Sequence, residues 1–265
     1  MSATVLAEAA RYRLTVEYDG RPFVGLQRQT NGLSVQEAIE TAAARYCGAP
    51  VVLHAAGRTD AGVHALAMTC HVELPRDDGG DVVRDALNHH LRPHPVSILD
   101  AAPANEDFHA RFSCVGRRYA YRILVRRARP ALDDGRVWHV PHALDEVAMA
   151  AGARRLIGRH DFTTFRSSDC QADSPVRTMD AVTVEREGDE IIVRCAARSF
   201  LHHQVRSIVG TLERVGAGRW SAEDVTAALE ARDRAACGPV APPDGLYFVK
   251  ALYPDDPTSA DDHGE

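Results

Sequence analysis

The sequence Gly57-Arg-Thr-Asp60-Ala-Gly62-Val-His64 separates two apolar segments and is the most informative stretch of the chain. Before it, Val51–Ala55 has the composition of a short strand, and after it every second residue from Met68 to Leu74 is apolar, as in a second strand. Gly57 and Gly62 permit positive φ angles and close approach of another backbone, so residues 57–62, the Asp60 loop, are predicted to turn tightly between strands. The chain is therefore predicted to contain a sheet that presents a short polar loop.

Strands and helices are predicted on both sides of this loop. From Arg11 to Tyr18 apolar and polar residues alternate, which is typical of a half-buried strand. Ser34-Val-Gln-Glu37 has the form of a capping box and precedes apolar residues at helical spacing, so a helix is predicted to follow it and to end at Gly48. After the loop, the predicted elements are a helix capped by Asp81 and ended by Pro93, and a strand over Val96–Leu99.

The second half of the chain follows a similar plan with a different sequence. Tyr119, Tyr121 and Ile123 alternate with other residues in a predicted strand, and Gly188-Asp189 separates the two strands of a predicted hairpin. The other predicted elements are a helix over Leu144–Ile157, a helix that begins near Leu201 and ends at Gly216 or Gly218, a helix that starts at Ser221, and a last strand over Leu246–Tyr253. Hairpin strands with separate helices favour an α+β fold with mixed or antiparallel sheets.

The same pattern predicts how the chain is divided. We expect an amino-terminal α+β half over residues 1–104, which carries the Asp60 loop, and a carboxy-terminal α+β half over residues 105–253. Residues 254–265 contain five acids and no Lys or Arg, so they are predicted to form an acidic disordered tail.

Charge is distributed unevenly over an otherwise ordinary composition. The 265 residues are 45% apolar and 26% charged with a net charge of −6, which by itself argues against binding nucleic acid through bulk positive charge. Residues 108–132, however, contain seven arginines and no acid. The overall acidity therefore does not describe the surface that this arginine-rich stretch forms.

Several sequence signals bear on where the protein works. No window approaches ~20 uninterrupted apolar residues, and the first ten residues lack a basic region and a long apolar core, so neither a membrane span nor a signal peptide is predicted. The six cysteines form no Cys-x-x-Cys pair and no His/Cys zinc pattern. Reduced thiols and a cytoplasmic location are the expectation.

Asp60 is the first candidate for chemistry. A short loop on a rigid sheet is a common place for a catalytic side chain, and an ionised Asp in a partly dry pocket can act as a nucleophile. Arg58 is expected to lower the pKa of this Asp and to orient its carboxylate. The alternative from spacing alone is an Asp in an Asx turn with a structural ion pair.

The arginine-rich stretch is the second candidate. Its arginines are interleaved with Phe108, Phe112, Tyr119 and Tyr121, a combination that suits phosphate contacts and base stacking. The alternatives are a solvated strand face, on which arginine stems cover apolar surface, and an interface with another protein. The absence of any acid in the stretch favours nucleic acid.

Other chemistry finds little support. The pairs His89-His90 and His202-His203 lack a carboxylate or thiolate at ligand spacing, so they are interpreted as surface or core histidines, with His202 or His203 in reach of a bound RNA. No zinc deaminase pattern, GxGxxG or Walker sequence is present. No metal and no cofactor are therefore predicted.

Eight segments in the same order resemble the TruA-type tRNA pseudouridine synthases. The matching segments are Glu17–Gly20 with Gly25–Gln29, Ser34–Glu37, Gly57–His64, Asp107–Ser113, Arg117–Tyr121, Asp161–Arg166, Phe200–Gly210 and Gly245–Phe248. The resemblance implies two similar α/β-sandwich halves that flank a central cleft. It also implies an enzyme that isomerises uridine to pseudouridine at positions 38, 39 and 40 of the tRNA anticodon stem-loop, acts as a homodimer and needs no cofactor.

The resemblance assigns roles to individual residues. Asp60 matches the catalytic aspartate, Arg58 an arginine that pairs with it and helps to hold the flipped nucleotide, and Tyr119 an active-site tyrosine that stacks on uracil and relays a proton. Leu246 matches an apolar residue that packs on the target base. The remaining residues expected to contact tRNA are Phe108, His109, Ala110, Arg111, Phe112, Arg127, His202 and Arg206.

This sequence departs from the family pattern at a few positions. Leu26 occupies a position where Trp is usual, Gln204 and Ser207 replace Met and Asn, and Asp173 lies in a loop that is often more basic. The open alternatives to the implied function are an enzyme for another RNA position, a catalytically silent RNA-binding protein, and an arginine strand that serves as a protein interface.

Overall fold

A computed structural model describes residues 9–254 and 256, and within them ten strands form one continuous sheet. The strands β1 to β10 are Ala10–Tyr18, His54–Ala55, His64–Leu74, Val96–Pro103, Gly116–Val125, Trp138–Val140, Gly158–Asp161, Val176–Glu187, Glu190–Ala197 and Leu246–Leu252. The α-helices of the described residues, α1 to α5, are Val35–Cys47, Gly80–Leu91, Glu146–Arg154, Gln204–Gly216 and Ala222–Ala231. The predicted α+β class is confirmed.

The strands follow the order β4-β1-β3-β10-β5-β9-β8-β7, with β2 beside β3 and β6 beside β5. All pairs are antiparallel except β10 with β3 and β6 with β5. The last strand therefore lies in the middle of the sheet and connects the amino-terminal strands to β5. The sheet continues across residues 104–105, and the division of the chain into two domains stays a prediction.

Alternation in β1 and β5 decides which side chains face the core. In β1, Tyr12, Leu14, Val16 and Tyr18 are almost fully buried. In β5, Tyr119, Tyr121 and Ile123 are buried, whereas the alternating residues Arg118, Ala120 and Arg122 are half-buried. Because neighbouring side chains of a strand point to opposite faces, β5 presents its aromatic rings on one face and Arg118 and Arg122 on the other.

Two predicted helix starts and one predicted helix end are confirmed. Ser34 caps α1 by accepting a hydrogen bond from the N–H of Glu37, and the helix ends at Gly48 with φ 75°. Ser221 caps α5 in a reciprocal capping box with Asp224. Local sequence determines these ends because a capping side chain satisfies N–H groups within its own turn.

Other element ends differ from the prediction. Gly79 is the N-cap of α2, so Asp81 lies in the first turn, where its charge suits the helix dipole but caps nothing. Asp145 caps α3, which is shorter at both ends than Leu144–Ile157. Helix α4 begins at Gln204 rather than Leu201, so the preceding residues form a turn. Strand β2 covers two residues instead of Val51–Ala55, and β6 and β7 were too short to be predicted.

The helices form two groups on the sheet. Helices α1 and α2 pack on each other and α2 packs on β4, whereas α3 packs on β8 and against α4 and α5. Buried side chains from both groups belong to one hydrophobic cluster. An open cleft of about 1150 Å³ takes side chains from both halves of the chain.

Three further expectations concern the ends and the surroundings of the chain. Apart from Pro254 and Asp256, the predicted acidic tail lies outside the described residues; Asp256 accepts from the N–H of Tyr253 and pairs with Arg13 at 2.9 Å. Among the described helices, none combines the length and apolar character that crossing a bilayer requires. The six cysteines all lie within residues 9–254 and are unpaired thiols.

Candidate active site

The Asp60 loop is held against β1 and against the loop that precedes α1. The Tyr18 hydroxyl lies 2.7 Å from Thr59 Oγ1, and the N–H of Leu26 donates to the Thr59 carbonyl at 3.0 Å. Gly25 has φ 120°, and a Cβ there would lie 2.8 Å from the Thr59 carbonyl oxygen, so only glycine permits this approach. These contacts hold Thr59 in place, and Asp60 therefore stands at a defined position in the cleft.

The two glycines of the loop differ in conformation. Gly62 has φ 80°, in the region that glycine permits, whereas Gly57 is not among the glycines with positive φ. A Cβ at Gly57 would lie 3.7–3.8 Å from Phe248, Arg117 and the Tyr119 hydroxyl. Gly57 therefore brings the loop backbone close to the residues of the central strands.

Three side chains surround the Asp60 carboxylate. His202 Nε2 lies 3.2 Å from Oδ1, and His203 Nε2 and Arg206 Nη1 lie 3.2 Å and 3.1 Å from Oδ2. Arg206 is itself anchored, because its Nε–H donates to the Ala241 carbonyl at 2.8 Å. The Asp60 side chain remains 28% exposed, so a molecule in the cleft can reach it.

This environment keeps Asp60 ionised. Burial alone would raise the pKa of Asp60, but the hydrogen bond from His203 and the positive potential of His203, His202 and Arg206 outweigh it, and the pKa lies below its ordinary value. At neutral pH the carboxylate is therefore charged, which is the state that a nucleophile or a base requires.

Arg58 does not orient the carboxylate. Its side chain is exposed in the cleft wall, and among the described residues the ion pairs of Asp60 are those with His202, His203 and Arg206. The expectation that Arg58 pairs with Asp60 is wrong in this structure because α4 supplies the guanidinium instead. Arg58 is left exposed in the lining of the cleft, which a bound molecule would occupy.

Both histidines before α4 contact Asp60, a partner that sequence analysis did not assign to them. They reach Asp60 because the helix starts late and residues 200–203 turn ahead of it. Gln204 Oε1 accepts from the N–H of Leu201 at 2.8 Å, and the His202 carbonyl accepts from the N–H of Ser167 at 2.9 Å. The only sequence signal was two adjacent histidines at a helix start, which does not reveal a partner far away in the chain.

Tyr119 lies where the alternation of β5 predicts, in the wall of the cleft. Its ring packs edge-on against Phe200 and Phe248, with centroids 5.0 Å and 5.3 Å away. Burial raises the pKa of Tyr119 well above its ordinary value, although the charge of Arg117 opposes the change. The hydroxyl is therefore protonated at neutral pH, which favours stacking and proton relay over action as a free phenolate.

Other predicted contact residues divide between cleft and core. Leu246, His109, Arg111 and Phe112 line the cleft, and Phe112 is 77% exposed although it is aromatic. Phe108 instead packs against Tyr253 with centroids 5.2 Å apart. Ala110 is buried and its carbonyl accepts from the Tyr253 hydroxyl at 2.6 Å, so its side chain is part of the core. Arg127 is exposed but does not line the cleft.

Some arginines of the arginine-rich stretch form ion pairs with acids from other parts of the chain. Arg122 Nη2 lies 2.7 Å from Glu190 and 3.3 Å from Asp133, and Arg126 lies 3.8 Å from Asp189. Residues 108–132 contain no acid, but acids on neighbouring strands and loops pair with some of their arginines. Part of the positive charge of the stretch is therefore neutralised. Arg122 also lies on the face of β5 opposite Tyr119, which is not the face of the cleft.

Two groups of ligand-type side chains lie close together in the described part of the chain. One is Asp60 with His202 and His203, where the guanidinium of Arg206 already provides the positive charge next to the carboxylate. A cation bound there would have to compete with that guanidinium for Oδ2. This group is therefore better suited to keeping the Asp60 carboxylate ionised than to binding a metal ion.

The second group contains His54, His71 and His109, whose ligand atoms lie within 4.8 Å of one another. Nδ1 of His71 accepts from the N–H of Ala110, and Nδ1 of His109 accepts from the N–H of Arg111, both at 3.1 Å. A neutral imidazole that accepts at Nδ1 carries its proton at Nε2. Both rings therefore carry a proton at Nε2 rather than a free lone pair for a metal ion. Of the two, His109 lines the cleft, where its N–H suits an oxygen acceptor such as phosphate, whereas His71 is buried.

The departures from the family pattern occupy defined places. Leu26 lies in the cleft wall and is almost fully buried. Gln204 is buried and its Nε2 lies 3.5 Å from the sulfur of Met179, while the buried hydroxyl of Ser207 has no hydrogen-bond partner among the described residues. Nothing in the structure explains Asp173.

The fold and the site together place an ionised carboxylate in an open cleft, as in an enzyme that acts on a bound molecule. The sequence model of the family described as tRNA pseudouridine synthase matches residues 14–113 and 153–254. The tRNA pseudouridine synthase A of Paramagnetospirillum magneticum is 60% identical over 92% of this chain and 95% of its own. The chain therefore belongs to the tRNA pseudouridine synthase family.

Two further relatives carry the same description. The tRNA pseudouridine synthase A of Rhodospirillum centenum is 59% identical over 92% of this chain and 99% of its own. That of Maricaulis maris is 57% identical over 92% of this chain and 98% of its own. The similarity thus extends over nearly the whole length of each relative and includes both the Asp60 loop and the residues before α4.

Proposed function

We propose that this protein isomerises uridine to pseudouridine at positions 38, 39 and 40 in the anticodon stem-loop of tRNA. Family membership supports tRNA as the substrate. The observation that carries the chemistry is the ionised Asp60 carboxylate, held by two histidines and an arginine in the cleft that Tyr119 lines. The reaction breaks the uracil–ribose C–N bond and forms a C–C bond from C5, so it needs neither a redox cofactor nor an energy source.

Asp60 acts on the flipped-out nucleotide. Attack on the ribose C1′, attack on the uracil C6 and removal of a ribose proton are all open routes, and each begins with a charged carboxylate. Flipping a base costs a few kcal/mol of stacking, so a side chain that fills the vacated space is useful. Arg58 is placed for that role because it is exposed in the cleft wall and is not paired with Asp60.

The walls of the cleft are proposed to hold the uracil and the neighbouring strand. Tyr119 stacks on the base and relays a proton, and Leu246 packs against it. His109, Arg111 and Phe112 on the rim are suited to a phosphate and an unstacked base outside the flipped nucleotide. His202 and Arg206 act through Asp60 rather than through the RNA, because both contact its carboxylate.

Assembly and location are part of the same proposal. We propose that the protein acts as a homodimer, with the tRNA lying across both subunits, because one cleft selecting several adjacent positions requires recognition of RNA shape beyond the flipped base. The halves 1–104 and 105–253 then provide the Asp60 loop and the arginine-rich stretch respectively, of which Arg111 and Arg117 line the cleft. The expected compartment is the cytoplasm, where tRNA is available and thiols stay reduced.

The test is a pseudouridine map of a tRNA transcript that has uridines at positions 38, 39 and 40. Incubation with the wild-type protein is expected to give chemically induced reverse-transcription stops at these positions. Asp60→Asn is expected to remove the stops while tRNA affinity stays within a few fold. Asp169→Asn is the matched control, since Asp169 is an exposed carboxylate that lines the same cleft.

Each outcome has a clear meaning. The absence of stops with the wild-type protein would overturn the enzyme assignment. Stops outside the anticodon arm would keep the reaction but replace the proposed position. Full turnover by Asp60→Asn would remove Asp60 from the mechanism.

A further inference from the structure

We infer that His203 is a positioning residue whose imidazole holds the Asp60 carboxylate, and that the backbone is strained at residue 203 in order to place it there. The inference rests on the proposed function, since it assigns His203 a part in the same site. It concerns a side chain that the sequence pattern marks only as the second of two adjacent histidines.

The backbone of His203 is the first observation. Its φ is 62° and its ψ is 5°, in the left-handed region, although it is the N-cap of α4. The N-caps Ser34, Asp145 and Ser221 have φ between −105° and −87°, as N-caps usually do. The left-handed region brings the Cβ of an ordinary residue too close to the following carbonyl oxygen, so glycine and asparagine are the residues usually found there.

The helix does not account for this conformation. The side chain of His203 makes no capping hydrogen bond to α4. Instead its Nε2 lies 3.2 Å from Asp60 Oδ2, and its ring lies 4.0 Å from that of His202, which contacts the other carboxylate oxygen. The strained residue therefore serves a contact with Asp60 rather than the end of the helix. Strain that surrounding structure maintains is typical of functional sites.

The surroundings impose the turn on residue 203. Gln204 is fully buried and its side chain accepts from the N–H of Leu201 at 2.8 Å. The N–H of Ser167 donates to the His202 carbonyl, and the N–H of Ser207 donates to the His203 carbonyl, both at 2.9 Å. The residues on both sides of His203 are thus tied to the core, and this fixes the backbone position from which the imidazole extends to Asp60.

The chain provides a matched control for the strain. Among the described residues, Arg232 is the other residue with a Cβ and a positive φ, at 50°, and it ends α5. A left-handed residue is ordinary at a helix carboxyl end. Its side chain is 69% exposed and lies 3.8 Å from Asp161, far from any contact with Asp60.

The test compares His203→Asn and His203→Gly with Arg232→Asn and Arg232→Gly. Both His203 variants relieve the backbone strain and remove the donor, so kcat on tRNA is expected to fall about 10- to 100-fold with KM nearly unchanged. Their Tm is expected to equal or exceed that of the wild type. The Arg232 variants are expected to gain in Tm and to keep wild-type kcat.

His203→Gln separates holding from proton transfer. The side-chain nitrogen of Gln reaches about as far as imidazole Nε2 and still donates, but it does not titrate. His203→Gln is expected to keep kcat within a few fold of the wild type. Equal loss in the Gln and Asn variants would overturn the positioning role in favour of proton transfer, and wild-type kcat in His203→Asn would overturn it altogether.

The strain has its own readout, which does not depend on turnover. A Tm for His203→Gly no higher than that of His203→Ala, which removes the same imidazole but keeps the Cβ, would show that residue 203 is not strained. If the wild-type protein made no pseudouridine, the proposed function would fall, whereas the Tm comparison would still decide whether the backbone is held under strain.

Discussion

At the scale of single residues, burial is followed by opposite pKa changes in Asp60 and Tyr119. Desolvation raises the pKa of both groups. Asp60 also receives donors from His202, His203 and Arg206, and its pKa falls, whereas Tyr119 has only the more distant charge of Arg117 to oppose the rise. The site therefore holds a charged carboxylate beside a neutral phenol, and each has the protonation state that its proposed role needs.

Tyr119→Phe tests the hydroxyl without removing the ring. We expect kcat to fall by roughly 10²-fold or more, because proton relay is lost, while tRNA affinity is nearly kept, because the ring still stacks. Single-turnover kinetics with labelled tRNA measure both quantities.

Tyr121→Phe is the control for this change. Tyr121 lies two residues along the same face of β5, and its hydroxyl donates to the Pro242 carbonyl at 2.7 Å in the core. Its loss is expected to cost stability, about 1 kcal/mol, and to leave turnover intact. A Tyr119→Phe enzyme as active as Tyr121→Phe would exclude the hydroxyl from the reaction.

The lowered pKa of His71 leads us to expect that stability depends on pH. Burial and the positive potential of His54, His109 and Arg11 lower its pKa to about 4, against about 6.5 in an unfolded chain. Between these values the unfolded chain binds a proton that the folded protein does not, so the free energy of unfolding falls as pH drops from 6.5 towards 4. Above pH 6.5 the contribution is fully present.

The wild-type protein is expected to lose free energy of unfolding between pH 7.5 and pH 5, and His71→Asn is expected to reduce this loss by about 1–2 kcal/mol. Asn keeps an acceptor near the position of Nδ1, which binds the N–H of Ala110. Urea unfolding at the two pH values measures the effect, and His89→Asn on the exposed surface of α2 is the control. An equal loss of free energy of unfolding in His71→Asn and the wild type would show that His71 is not the titrating group.

At the scale of elements, β5 connects the parts of the cleft through Arg117. Its Nη2 and Nε donate to the Ala56 carbonyl, just before the Asp60 loop, at 2.7 Å and 3.0 Å. Nη1 donates to the Arg198 carbonyl at 2.5 Å, and Nη2 also reaches the Arg111 carbonyl at 3.3 Å. A charge that sequence analysis placed in an RNA-binding stretch thus fastens three backbone segments around the site.

Arg117→Lys tests this structural role because it keeps the charge and loses the fork of donors. We expect kcat to fall about 10-fold, since the Asp60 loop loses its fixed position, while tRNA affinity changes little. Arg126→Lys is the control, because Arg126 is exposed and outside the cleft. If Arg117→Lys loses affinity and keeps kcat, the guanidinium contacts RNA instead.

At the scale of the whole molecule, the fold decides which arginines carry free positive charge. Glu190 and Asp133 neutralise Arg122 from other parts of the chain. Arg111 is exposed at the cleft, and its described contacts are the ring of Phe112 and the backbone. The positive surface of the cleft is therefore smaller than the arginine-rich stretch suggests.

Arg111→Glu is expected to weaken tRNA binding and to lower the slope of log K against log salt by about 1, because one phosphate contact is lost. Arg126→Glu, an identical change at an exposed arginine outside the cleft, is expected to leave both unchanged. Filter binding over a range of salt concentrations measures the slope. Equal effects of the two changes would mean that the RNA covers a surface beyond the cleft.

The sequence by itself determined the features that depend on a few neighbouring residues. Alternation predicted β1 and the direction of Tyr119, capping residues predicted the starts of α1 and α5, and the motif around Asp60 identified the family. These features follow from side-chain periodicity and turn geometry, which act within one or two turns of chain.

Only the tertiary structure decided which distant groups meet. His203 and Arg206 reach Asp60 from more than 140 positions away in the sequence, β10 lies between β3 and β5, and acids from other segments neutralise Arg122. Strand order and the late start of α4 bring these groups together, and periodicity carries no information about either. The local sequence therefore identified Asp60 as the candidate carboxylate, whereas the packing of the whole chain decided which groups keep it charged.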